Sequence, residues 1–178
     1  MRYLLILLLL FGLDATEAQA KGGIGDAPIS VDAESLEVIQ NENKAIFTGD
    51  VVAKQGNMVL KAAKMIINYE KQSNGAGKDV EQSSMGALNN IEVIGNVHML
   101  TPTETADAER GLYDAVRKKI FLYGNVVLKR EQNVLNGSAL QYDMVTGSSI
   151  LTGGVSQNGD GKAVKPQRVR GIFVPKAQ

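Results

Sequence analysis

One strand is written four times in this chain. FTGDVVAK (47–54), VIGNVHML (93–100), LYGNVVLK (122–129) and LTGGVSQN (151–158) share one frame: apolar, any residue, Gly, a small or polar residue, Val. The intervals Gly95 to Gly124 and Gly124 to Gly153 are both 29 residues, whereas Gly49 to Gly95 is 46. A period near 29 implies one supersecondary unit copied along an elongated body. Val38, Tyr113 and Tyr142 stand eleven residues before Gly49, Gly124 and Gly153, but the matching Tyr69 stands 26 before Gly95. The excess is KQSNGAGKDVEQSSMGALNN (71–90), a Gly-, Ser-, Asn- and Gln-rich stretch that reads as an inserted flexible loop.

Each unit reads as two strands and a turn. ETADAERGLYD (104–114) precedes a polar turn and IFLYGNVVLK; NVLNGSALQYD (133–143) precedes MVTG and SSILTGGVS. Short alternating runs with turn signals, and no sustained helical period, give an all-β architecture. Counting by twos from each glycine puts Phe47, Val51, Val93, Val97, Met99, Leu122, Val126, Leu128, Leu151 and Val155 on one face, with Asp50, Lys54, Glu92, Asn96, His98, Asn125 and Lys129 on the other. A sheet with one apolar face must fold over or meet a second sheet. The expected product is an elongated, twisted roll of antiparallel strands with an apolar interior, the glycines allowing a bend or bulge. Its end strands, with Val31, Leu36 and Val38 in 29–40 at one end and Ile150 and Val155 at the other, are open edges suited to strand addition by another chain.

The first residues stand apart from this pattern. Arg2, the apolar run Leu4 to Leu13 and Ala18-Gln19-Ala20 form the pattern of a cleaved secretory signal (1–20), too short in its apolar part to span a membrane; an uncleaved anchor is the alternative. Without Arg2, Asp14 and Glu17 the chain carries 18 basic and 17 acidic residues, a balance that argues against nucleic acid as partner. It has no cysteine, so burial and backbone pairing must hold an exported protein together.

The run PISVDAESLEV, the repeated GNV strands, TADAERGLYDAVRKKIFLYGNVVLKR and NVLNGSALQYDMVTGSSILTGG together resemble the OstA-like family, over roughly 27–154. The resemblance implies a jellyroll domain (27–157) that binds lipopolysaccharide, with acyl chains against the ten inward residues. It also implies a periplasmic bridge, by end-to-end homo-oligomers, from a subunit of an inner-membrane transporter complex to an outer-membrane assembly complex. A membrane-anchored or outer-membrane-associated subunit of the same pathway is the alternative. With no Trp and few Phe, the roll reads as under-filled and able to admit a fatty chain.

No catalytic apparatus is legible, and no cofactor or metal is expected. His98 is the only histidine and lacks companions at ligand spacing; Asp107 and Glu109 read as solvated charges. The basic end of the chain (158–178), with Arg168 and Arg170, reads as a flexible tail, with a final strand or headgroup contact as its alternatives.

Overall fold

A computed structural model describes residues 27–70, 87–157, 163–166 and 168–175, with 155–157 and 163–166 as backbone only. The expected signal (1–20) and residues 71–86 of the inserted loop lie outside these. Strands β1 (Ile29–Asp32), β2 (Ser35–Ile39), β3 (Lys44–Gln55), β4 (Met58–Tyr69), β5 (Leu88–Leu100), β6 (Thr105–Asp114), β7 (Lys119–Arg130), β8 (Asn133–Asp143), β9 (Ser149–Thr152) and β12 (Arg170–Ile172) form one antiparallel sheet. A separate hairpin joins β10 (Val155–Gln157) to β11 (Ala163–Pro166). β3 to β8 follow one another as a meander; β1 and β2 both lie on β3, and β9 and β12 both lie on β8.

Two turns show how the repeat is punctuated. Arg117 N–H donates to the Asp114 carboxylate at 2.9 Å, and Val145 and Thr146 N–H donate to Asp143 at 3.0 Å each. These aspartates occupy the same place in successive units, and each satisfies turn amides that would otherwise face solvent.

The repeated glycine sits where the ladder slips. Register shifts fall between Thr48 and Val51 on β3, Ile94 and Val97 on β5, and Tyr123 and Val126 on β7. At each, a Gly-Xxx pair opposes one residue of the neighbour: Ala63 on β4, Glu109 on β6 or Ser138 on β8. Gly49, Gly95 and Gly124 have φ of +85°, +79° and +82°, as β-bulges of this type require. The strands with glycine keep their alternation, so the inward set read from them stands. Their neighbours skip a step, turning Ala62 and then Met65 inward with Ala63 and Lys64 both outward. β6 does the same at Glu109 and Arg110.

The aligned bulges form a crease across every long strand. One layer holds β2, the first halves of β3, β5 and β7, the second halves of β4, β6 and β8, and β9. The other holds β1, the remaining halves and β12. The apolar faces of the two layers meet, and the side away from the crease is open. The strand expected over 29–40 is broken at this level into β1 and β2, with Glu34 N–H donating to Gly49 C=O at 3.2 Å. Two further boundaries differ from expectation. β5 begins at Leu88, so 88–90 belong to a strand, because Leu88 pairs with Tyr69 and Asn90 with both Asn68 and Asp114. Part of the tail is a strand as well: Arg170, Gly171 and Ile172 pair with Asn136, Leu135 and Val134 along the edge of β8 that faces away from β7.

Candidate functional site

The inward residues form a packed strip. Val51, Val93, Val97, Met99, Leu122, Val126 and Leu128 are buried; Phe47 and Leu151 are half-buried against them, and the Val155 side chain lies outside the described residues. Along this strip the side chains pack closely, and the wider space between the layers lies to one side. A void between Leu60 of one layer and Ile91, Tyr113 and Ile120 of the other measures only about 20 Å³, room for about one water. The filling comes from the strands without the glycine motif: Met58, Met65, Tyr113, Leu140 and Tyr142 are all buried. Alternation counted from the glycines alone leaves them out.

Space opens instead along the side opposite the crease. A cleft of about 400 Å³ separates Ile29 and Val31 of one layer from Ile67, Tyr69, Leu88 and Ile91 of the other. Burial raises the Tyr69 pKa, so its phenol stays neutral. A second cleft of about 610 Å³, toward β8, is bounded by Leu128, Leu135, Ser149 and Phe173.

Beside the second cleft the layers are tied by a polar cluster. Glu104, on the turn between β5 and β6, has a side chain with no exposed surface. It accepts from Arg130 Nη2 at 2.8 Å and Nε at 3.1 Å, and from Ser149 Oγ of the opposite layer. Thr101 Oγ1 donates to Glu104 C=O at 3.0 Å and accepts from Glu104 N–H at 3.1 Å. From the other layer, the Tyr142 side chain meets Thr101, and burial pushes its phenol pKa up. Sequence reading passed over Glu104, which in TPTETADAE looks like one more surface charge.

The outer face carries the remaining charges. His98 Nδ1 lies 2.6 Å from Asp107, which Lys129 approaches to 3.5 Å, and Asn125 Nδ2 donates to Glu109 at 2.6 Å. No group of three or more metal-binding side chains occurs among the described residues. Of the expected partner edges, Leu36 and Val38 are exposed on β2 and Ile150 on β9, while Val31 points into the first cleft.

Residues 30–148 match the sequence model of the LptA/(LptD N-terminal domain) LPS transport protein family. The chain belongs to this family. An uncharacterized protein of Rhizobium meliloti (strain 1021) is 34% identical over 127 residues, 71% of this chain and 66% of that protein. The lipopolysaccharide export system protein LptA of Haemophilus influenzae (strain ATCC 51907 / DSM 11121 / KW20 / Rd) is 24% identical over 148 residues, 83% of this chain and 77% of that one. The chain thus spans about two thirds to three quarters of the length of these relatives. The fold matches the crystal structure of LptH, the LptA-homologous periplasmic component of the lipopolysaccharide transport device of Pseudomonas aeruginosa. The TM-score is 0.65 at 17% identity, covering 86% of this chain and 100% of that one. An open-sided β-jellyroll is the fold of both.

Proposed function

We propose that this protein is a non-enzymatic periplasmic carrier that holds the acyl chains of lipopolysaccharide between its two layers and leaves the sugars outside. The observation that carries this reading is the pair of clefts on the open side of a member of a lipopolysaccharide-transport family, the first walled mainly by apolar side chains and the second by Leu128, Leu135 and Phe173 beside polar groups. Because the central strip is packed, a chain enters from the clefts and wedges the layers apart. Residues 1–20 export the protein, 27–157 carry lipid, and 71–90 and the tail from 158 are accessory.

A photo-reactive side chain placed at Leu88 or Leu135 should capture lipopolysaccharide, and one at outward Tyr123 should not. Equal capture at all three sites would count against the groove. The β2 edge is proposed to pair with a subunit of the inner-membrane transporter complex, and the β9 edge with a further copy or the outer-membrane assembly complex. Exposed Leu36 (55%) and Ile150 (57%) support that arrangement. Leu36→Lys should lower the mass of end-to-end assemblies in light scattering; an unchanged mass would argue for another surface.

A further inference from the structure

Gln55 is 4% exposed and ends β3, in the wall shared by the first cleft and the small inner void. Its Nε2 donates to Ala27 C=O at 2.9 Å, which sets the orientation of the amide, since the reversed one would turn oxygen toward oxygen. Its Oε1 is buried and has no hydrogen-bond partner among the described residues. Such an orphan costs about 1–3 kcal/mol, and buried polar atoms are nearly always satisfied.

The repeat sharpens the anomaly. Six residues after the bulge glycine, each of the first three units carries a polar side chain: Gln55, Thr101 and Arg130. Thr101 and Arg130 are both satisfied by Glu104. Gln55 has no counterpart of Glu104 among the described residues: on this half β3 is flanked by β4 and by the short β1, which pairs Ile29 with Gln55. Gln55 lines both the first cleft, with Ile29 and Ile91, and the small inner void, with Ile29, Met58 and Ile91.

We infer that Gln55 selects, in the first cleft, acyl chains bearing a hydrogen-bond donor near the seated portion, a hydroxyl or an amide N–H, over plain hydrocarbon chains. The cleft walls take the apolar body, and Oε1 accepts from the donor. A carboxylate at the same place is rejected, since two acceptors would meet in a poorly solvated site. This inference rests on the acyl-carrier reading and adds which chains are preferred.

The test titrates the full protein with methyl myristate, methyl β-hydroxymyristate and methyl β-methoxymyristate, following the backbone amides of Ile29, Ile67 and Leu88 by NMR. Wild type should bind the hydroxy ester about fivefold to tenfold more tightly than the other two, the yield of one net neutral hydrogen bond. Gln55→Met should reverse that order, preferring the plain ester. The methoxy ester keeps the oxygen and removes the donor, so wild type alone decides the question should the variant not fold. Equal binding of all three esters, or a preference for the plain one, overturns the inference and leaves the groove intact. If none of the esters moves the cleft amides, the acyl-carrier reading itself falls, and the inference with it.

Discussion

The carboxylate of Glu104 and the hydroxyl of Ser149, 45 residues apart, are hydrogen-bonded across the open side of the roll. Glu104 belongs to the layer that ends in the β5–β6 turn, and Ser149 begins the edge strand of the other. The same carboxylate holds Arg130, so one buried group ties the layers beside the second cleft.

The two partners of the ion pair are unequally exposed, Glu104 at 0% and Arg130 at 51% of the side chain. Removing the exposed partner strands a buried charge, whereas removing the buried one releases a guanidinium to water. Arg130→Met should therefore cost about 2–4 kcal/mol and Glu104→Gln only about 1–2 kcal/mol. Urea denaturation of both variants checks the order, and the reverse ranking would refute it.

A packed strip beneath two clefts requires the layers to separate when a chain enters. The protein has no cysteine, so spin labels attach only where cysteine is introduced. Val116→Cys and Asn57→Cys place labels on exposed turns of opposite layers. Their distance distribution should lengthen on adding lipopolysaccharide; an unchanged distribution would mean the lipid binds without wedging.

Gly124 and Gly147 both adopt positive φ, +82° and +68°, yet a Cβ on Gly124 would lie 2.5 Å from Glu109 Oε2, while one on Gly147 meets nothing within 4 Å. Gly147→Ala should cost only the backbone term, about 1–2 kcal/mol. Gly124→Ala adds the displacement of Glu109 from its bond to Asn125 and should lower the thermal midpoint more. Equal losses in calorimetry would show that the crease tolerates a side chain.

Asp114 and Asp143 are held below the ordinary carboxylate pKa, chiefly by the backbone N–H of Arg117 and of Thr146 respectively. A folded-state pKa below the unfolded value, about 3.9, means stabilisation that is full above that value and lost as pH falls through the folded one. Asp114→Asn and Asp143→Asn should flatten the decline of the thermal midpoint below about pH 4. Parallel acid profiles for wild type and variants would remove these turns as the cause.

Alternation about the repeated glycine was enough to identify Val51, Val93, Leu122 and Val126 as interior, because side-chain direction on a strand is a local property. The glycines were legible as places for a bend or bulge, and the register shifts fall there; their alignment into one crease was not, since Ala63, Glu109 and Ser138, which face them, carry no local mark of that role. Tyr113 and Leu140 were left out of the core count for the same reason: their strands skip a step. The three-residue pairing of Arg170–Ile172 with β8 and the bond from Glu104 to Ser149 join distant segments. No window of sequence contains both partners of either.

The bulges on β3, β5 and β7 recur in one register, so the cross-section of the roll repeats every second strand, about 10 Å along the sheet. In the carrier proposed above, a long apolar chain lying crosswise at one such step would meet the same backbone curvature at the next, with a valine two residues after each bulge glycine and Ala53, Met99 or Leu128 beyond it. A repeated cross-section of this kind would spread contact along the sheet. The glycine at the crease would then bear on motion along the sheet as well as on its curvature.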